Sequence, residues 1–507
     1  MPVPIIDLFA GPGGLGEGFA ALQDDDGSPF FQIGLSIEKT KVAHRTLTLR
    51  AVYRRLRDTS DVLHYYRFIR GEIDEAAFRT IPAVAEAYRH ADREARCLEL
   101  GKSDEAEIDV DIRQALKGEK NWVLIGGPPC QAYSLAGRSR RIHDKDFYRD
   151  EKHFLYREYL RIIRVHRPAI FVMENVKGLL SSRHSGGSMF EMILGDLAAP
   201  EEGLEYEIRS FVKAGNSDSL EPADFVIQSE RFGVPQGRHR VILLGVRKGL
   251  RLEQQDLLRP VRQMVTVKEA IGDLPRIRSK LSRADSLDAW QSEVSASVAV
   301  AGASSAGERQ KVLDAMSRAA RSAVSVLTAG GAFMHREGRK PAARTELMKW
   351  LLDPELGGVC QHQARSHMAS DLARYLFAAS YAKCRGISPT LKEFPSSLLP
   401  QHKSVKKPGT IPFNDRFRVQ CADQPSSTVV AHIAKDGHYY IHYDPCQCRS
   451  LTVREAARLQ TFPDNYFFMG NRTEQYTQVG NAVPPFLARK LAVIVQGMLK
   501  RLSNRKN

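Results

Sequence analysis

Short apolar runs punctuate a chain that is otherwise dense in polar and charged positions. They fall at residues 4–9, 33–37, 122–125, 170–176 and 241–245. Near-continuous apolar runs of this length, bounded by glycine, proline or charge, predict strands buried on both faces. Between and beyond them the apolar positions recur every three or four residues, as in Phe154-Leu155-Tyr156, Tyr159-Leu160 and Ile162-Ile163, and again over residues 485–502. That period predicts helices. Strands alternating with helices predict an α/β fold, a mostly parallel sheet with helices on both faces.

The same pattern divides the chain. Residues 1–50 read as strand, loop, helix, strand, helix, whereas 51–105 is helical and charged with no strand-like run. It is expected to be a helical insertion between the second and third strands, followed by Asp109-Val110-Asp111-Ile112. Residues 292–305 and 403–409 read as bridges, the first, rich in Ser and Ala, as a mobile linker or a weakly formed helix. Residues 415–419, 426–432 and 435–442 predict short strands joined by an Asp436-Gly437 turn. The domains expected are a catalytic unit over 1–255, an inserted unit over 256–448, and a return to the catalytic unit over 449–507.

Three predicted strands end on chemistry. The first runs into Ala10-Gly11-Pro12-Gly13-Gly14-Leu15, where glycines let a ligand approach the backbone. The second ends on Glu38, an acidic residue at the distance beyond a glycine turn where nucleotide-type folds hold ribose hydroxyls. The third ends in Gly126-Gly127-Pro128-Pro129-Cys130-Gln131, a stiff turn that presents a lone thiol. A fourth, residues 170–176, carries Glu174 near its end. Ligands of open α/β sheets sit beyond the carboxyl ends of the strands, so these groups face one crevice.

The chain thereby resembles the C5-cytosine DNA methyltransferases. The resemblance rests on six motifs in family order: Asp7 to Gly14, Pro128-Pro129-Cys130-Gln131, Glu174-Asn175-Val176, Gln236-Gly237-Arg238-His239-Arg240, Arg449 to Pro463, and Gln478 to Val483. It implies a Rossmann-like S-adenosylmethionine-dependent methyltransferase sheet, with residues 256–448 as a smaller inserted target-recognition domain. It also implies roles. Cys130 is the nucleophile that adds to C6 of cytosine; Glu174, its pKa raised by desolvation, donates to N3; Arg240 holds O2; Arg238 supports the site or a phosphate. Phe9, Ala10, Gly11, Gly13, Gly14, Leu15, Glu38, Asp111, Ile112, Pro128, Asn481 and Val483 are the expected cofactor contacts. Asp111 takes the place of the family's adenine-contacting Asp, with Asp109 as its competitor. S-adenosyl-L-homocysteine is the implied product, and no metal is required.

The expected DNA contacts are Gln131, Ser134, Arg138, Arg140 and Arg141 in a gating loop after the nucleophile, and Arg416, Thr428 and His432 in the inserted unit. The target base must be flipped out of the duplex to be reached. A tRNA methyltransferase of the same lineage would carry a Cys-Phe-Thr element, which the chain lacks. A catalytically dead relative would lack the cysteine, the glutamate or the glycines, which are all present.

Charge sharpens the partner. The chain of 507 residues carries a formal +15, and residues 251–448 hold 28 Lys and Arg against 19 Asp and Glu, a net +9. A basic insert fits a polyanion such as double-stranded DNA. Seven irregularly spaced cysteines argue against a disulfide framework and fit a reducing cytoplasm. No run is expected to cross a bilayer, and Cys446, Cys448, His438 and His442 match no standard zinc spacing. The resemblance implies a bacterial cytoplasmic enzyme, a monomer on DNA, of restriction-modification or orphan type, with any cognate restriction endonuclease acting separately.

Overall fold

The alternation of apolar side chains within each run builds the sheet. In the computed structural model, residues 2–129, 155–184, 187–250, 256–302, 309–323, 325, 328–336, 345–400 and 414–503 are described. Strand β1 (Val3–Leu8) turns Ile5 to one side and Ile6 and Leu8 to the other, and β2 (Phe31–Ile37) does the same with Ile33 against Leu35 and Ile37. Strands β4 (Val123–Gly126) and β5 (Ile170–Val176) are buried on both faces, as a central parallel pair must be. The remaining strands are β3 (Ala95–Arg96), β6 (Tyr206–Arg209), β7 (Val226–Gln228) and β8 (His239–Arg247).

The eight-stranded sheet has the order β3-β2-β1-β4-β5-β8-β6, with β7 also paired to β8. The pairs from β3 through β5 are parallel, and β8 runs antiparallel to both β5 and β6. Two cores follow. Helices α1 (Gly14–Ala20) and α14 (Pro485–Ser503) cover the face carrying Ile5, Ile125, Val172 and Leu244. Helices α6 (Glu105–Leu116), α7 (Leu155–His166) and α8 (Met189–Ala198) cover the face carrying Leu8, Leu124, Met173 and Leu243. By length and composition α14 belongs to a segment, Arg472–Leu502, apolar enough to cross a bilayer, contrary to the expectation from sequence; two thirds of that window is buried in the fold. Its contact with α1 is close. A Cβ on Gly18 would collide with the backbone of Arg489 and the side chain of Ala488.

The insertion consists of α3 (Val62–Ile69), α4 (Glu75–Thr80) and α5 (Pro82–Glu94), following α2 (Lys41–Leu56). Asp74 caps α4 through the amide of Ala77, and Pro82 opens α5 where a missing N–H is harmless. These helices share a core with Leu356, Cys360 and Met469, far along the chain.

Within residues 256–448 one core is built on α9 (Leu287–Gly302), α10 (Arg309–Ala323) and α11 (Ala369–Arg385), while Val267, Ile271, Leu351, Val429 and Val359 of the hairpin β9 (Gly330–His335) and β10 (Gly358–Gln363) share a core with residues 451–486. Two sequence expectations are decided here. Of the linker and the weak helix expected at 292–305, residues 292–302 take the helix, because Trp290, Val294, Ser297 and Ala301 form a buried stripe. Residues 303–308 and 403–409 lie outside the described residues. The strands expected over 426–442 reduce to Ser426–Ser427, paired with Gln236–Gly237, followed by single-turn helices. Side chains there take the backbone partners that a ladder would use: Gln236 accepts from the amide of Val429, Gln420 donates to the carbonyl of Tyr439, and Asp436 caps His438.

Candidate active site

The crevice opens at the carboxyl ends of β1, β2, β4 and β5, where the strand order reverses between β1 and its neighbours. Register brings the reacting groups together. On β8, Arg240 pairs with Val176 while Ile242 pairs with Glu174, so Arg240 and Glu174 lie diagonally on one face. Their side chains meet: Arg240 Nε is 2.9 Å from Glu174 Oε1. The approach is not along an N–H direction, so it is a Coulombic contact rather than a hydrogen bond. Both side chains are about 15% exposed, which leaves the pair reachable from the crevice. The dry isolation expected for Glu174 is therefore replaced by a cationic partner.

On the other side of Glu174 runs the turn after β4. A Cβ on Gly127 would lie 2.9 Å from Glu174 Oε2, so glycine lets this turn pass over the carboxylate without moving it. Asn175 donates to the carbonyl of Pro128 at 3.3 Å and fixes the turn one residue further on. Cys130 follows directly but lies outside the described residues, as do Gln131, Ser134, Arg138, Arg140 and Arg141.

Of the two roles expected for Arg238, support of the site or a phosphate contact, burial leaves the first. Arg238 is 3% exposed and donates to the carbonyls of Val429, at 2.9 Å, and Gly480, at 3.4 Å. Burial, with Arg240 alongside, lowers its pKa to about 9. It is a strut between the β8 end and two distant segments, closed to any phosphate.

The cofactor half of the crevice fits the expected group at most positions. Gly11 has φ +57° and open space where a Cβ would be, and its amide donates to Glu38 Oε2 at 3.0 Å. The amide of Thr40 donates to Glu38 Oε1 at 2.7 Å. Two backbone donors thus orient a carboxylate over the loop, with lone pairs left for hydroxyl donors. Phe9 has φ 55°, a costly conformation for an aromatic residue, which marks the loop entrance as a strained site. Ala10 is tied to the carbonyl of Ile37 at 3.1 Å. Gly13, at φ +92°, faces Leu47 and the Tyr466 hydroxyl, while Gly14 is pressed against the carbonyl of Val483. Asn481, at the end of α13 (Arg472–Asn481), is exposed nearby in sequence. Leu15 sends its side chain into the core under α1, so only its backbone remains for a ligand.

Asp111 and Ile112 are also corrected. Both lie inside α6, where Asp111 is paired with Arg96 at 3.0 Å and Ile112 is wholly buried. Helix α6 runs back along the sheet, away from the crevice. The strand that the expectation required is β3, and the residues leaving it are Cys97 and Leu98; the Cys97 thiol is 3.7 Å from the carbonyl of Lys39, beside Glu38. The sequence reading also missed Tyr466, whose hydroxyl donates to the carbonyl of Pro12 in the cofactor loop. No spacing rule would have paired positions so distant.

Of the DNA contacts expected in 256–448, Thr428 lies beside the site. Thr428 donates its hydroxyl to the carbonyl of Gly237 at 2.6 Å, and His432 is exposed. Arg416 is partly exposed, on the segment that also carries the buried Phe417. Among the described residues no cluster of His, Cys, Asp and Glu is placed to hold a metal.

A doubly covered α/β sheet whose crevice joins a glycine loop, a ribose-type carboxylate and an acid paired with arginine defines a methyltransferase of S-adenosylmethionine type. The chain belongs to the C-5 cytosine-specific DNA methylase family, whose model matches residues 91–496. It is a DNA (cytosine-5-)-methyltransferase. Among curated relatives it is 32% identical over 514 residues to the type II methyltransferase M.Bpa9945I of Bacillus paralicheniformis, covering 98% of this chain and 99% of that one. It is 28% identical to the type II methyltransferase M.AgeI of Thalassovita gelatinovora, covering 97% and 98%. A solved Escherichia coli structure described as a prophage-encoded DNA modification methyltransferase shares the fold, with a TM-score of 0.55, 18% identity and coverage of 98% of this chain and 99% of that one.

Proposed function

We propose that the chain methylates C5 of a flipped-out cytosine within a specific double-stranded DNA site, through a covalent adduct between Cys130 and C6. The observation that carries this reading is the convergence of Gly127, Glu174 and Arg240 at one crevice, with Gly127 three positions before Cys130 in the chain. Cytosine C5 is a weak nucleophile until a group adds at C6. The Cys130 thiolate forms the S–C6 bond, and the displaced electron pair moves onto N3 and O2. Arg240 donates to O2, while Glu174 in its acid form gives its proton to N3, so charge building on the ring is drained where it appears. S-adenosyl-L-methionine, when bound, supplies the methyl group as a sulfonium leaving-group donor. Loss of the C5 proton to water then restores the double bond and expels Cys130.

Phe9, Ala10, Gly11, Gly13, Gly14, Glu38, Pro128, Asn481 and Val483 would hold that donor, and Cys97 or Leu98 would stand where Asp111 was expected. Residues 256–448 would read the site, with Arg416, Thr428 and His432 among the contacts. The loop carrying Gln131, Ser134, Arg138, Arg140 and Arg141 would trap the flipped state. Release of the spent donor as S-adenosyl-L-homocysteine, action as a monomer in a bacterial cytoplasm, and a place as a restriction-modification or an orphan enzyme complete the reading.

The test is nucleoside mass spectrometry of plasmid DNA incubated with the protein and S-adenosylmethionine, followed by bisulfite sequencing. The expected product is 5-methylcytosine confined to one short sequence. An N4-methylcytosine or N6-methyladenine product, or none, would overturn the reading.

A further inference from the structure

One side chain joins four segments that the proposed chemistry does not use. Asn465, 7% exposed, accepts from Arg50 Nη1 at 2.9 Å and donates through Nδ2 to the Tyr53 hydroxyl at 2.9 Å and to Asp353 Oδ2 at 2.6 Å. Its own carbonyl accepts from the hydroxyl of Tyr65, on the first helix of the insertion, at 2.7 Å. Every polar group of this amide is thereby spent. Arg50 continues the chain of contacts to Glu17 in α1, with Nε 2.9 Å from Oε2. Asp353 continues it the other way: the Tyr66 hydroxyl donates to the same Oδ2 at 2.7 Å, just before β10 of the hairpin. Next along the chain, Tyr466 holds the carbonyl of Pro12.

We propose that Asn465 is a positioning residue that sets residues 256–448 in register with the cofactor loop, so that cofactor occupancy and DNA affinity are coupled through it. The helical insertion is the abutment of this joint. Arg70 on the insertion donates to the carbonyls of Leu356 at 2.9 Å and Glu355 at 2.6 Å, and the Cys360 thiol meets the carbonyl of Ile69. A loop ordered by cofactor must hold Pro12 and Gly13 still; Tyr466 is tied to Pro12 by its hydroxyl and to Asp353 through its neighbour. Displacing Asp353 therefore shifts the hairpin relative to the cofactor loop, which keeps its own tie to Tyr466. The inference rests on the proposed methyl transfer to DNA.

A swap tests it. Asn465→Asp puts a carboxylate against Asp353 where an amide N–H donated, so two acceptors of like charge face each other. Asp353→Asn alone keeps an acceptor for Tyr66 and is the milder change. The double swap restores one donor and one acceptor with the direction reversed, and the new carboxylate still faces Arg50. DNA affinity is measured with and without S-adenosylhomocysteine, on a duplex carrying the site located by bisulfite sequencing, together with S-adenosylhomocysteine affinity by calorimetry. In the wild-type protein the cofactor product should tighten DNA by about tenfold, within the usual range of coupling between sites. Asn465→Asp should leave cofactor affinity within about twofold and abolish the tightening, and the double swap should restore most of it. If Asn465→Asp does not fold, Tyr66→Phe, which deletes one hydroxyl, should reduce the tightening by at least about twofold. A wild-type protein without coupling, a flat series, or a double swap no better than the product of the single changes would overturn the inference. A wild-type protein that methylates no cytosine would instead sink the reading on which it rests.

Discussion

Two residues carry contrasting predictions. Glu38 spends its carboxylate on the amides of Gly11 and Thr40 before any ligand arrives. Glu38→Ala should therefore weaken S-adenosylhomocysteine binding by about 1–3 kcal/mol, through lost ribose bonds and a loosened loop, with cofactor-free DNA affinity unchanged in calorimetry. Glu174→Gln keeps the shape at Gly127 but removes the carboxyl group that pairs with Arg240 and through which a proton reaches N3. It should lower kcat about 10²- to 10⁴-fold while S-adenosylhomocysteine affinity stays put, which single-turnover kinetics would check. At this scale the sequence was legible where a strand end, a stiff turn and a reactive side chain coincide, as at Pro128, Glu174 and Glu38. It was not legible where a role depends on a partner hundreds of positions away. Nothing local distinguishes Arg238, a buried strut on Val429 and Gly480, from Arg240, which faces the crevice.

At the scale of elements, the glycines of the first loop sort by what surrounds them. Gly14 is packed against the carbonyl of Val483 and Gly18 against the backbone of α14, whereas Gly11 looks into open space. Gly14→Ala should cost about 1–3 kcal/mol of stability by overpacking, and Gly11→Ala about 1 kcal/mol through its left-handed backbone alone. Urea unfolding separates them: comparable losses would show that the packing of Gly14 against Val483 is not tight. The helical insertion was visible as a charged stretch without strands, but its docking on Leu356 and Cys360 was not. Asp111 was misplaced because the resemblance set it by its distance before Cys130 and not by its surroundings. Its wider frame, Ile108, Ile112 and Leu116 at every fourth position behind the cap Asp104, is that of a helix. A two-residue β3 leaves too short an apolar run to be seen in sequence.

Across the whole molecule, buried histidines and one buried acid set opposing pH dependences. Burial lowers His362 to about 4 and His367 and His442 to about 3, below the ordinary value near 6.5. The unfolded chain then binds more protons, so this stability is complete above about pH 6.5 and is lost as pH falls toward 4, by up to about 1.4 kcal/mol per unit for each histidine. Asp7 works the other way: burial raises its pKa to about 8, so its contribution is present at low pH and fades between about 4 and 8. Three groups outweigh one below pH 6.5. Stability by denaturant titration should therefore rise steeply from pH 4.5 to about 6.5 and decline gently to 8, and His362→Gln should flatten the acid limb; a monotonic rise to pH 8 would show that Asp7 is ionised in the folded state.

The central claim is that Cys130 bonds to C6 of a flipped cytosine beside Glu174 and Arg240. The most direct measurement is peptide mapping by mass spectrometry after reaction with S-adenosylmethionine and a duplex carrying 5-fluorocytosine at the target position, where the missing C5 proton blocks release of the enzyme. The account predicts a stable adduct on the peptide containing Cys130, absent in Cys130→Ser. Methylation of the ordinary duplex without any such adduct, or an adduct on another cysteine, would contradict it.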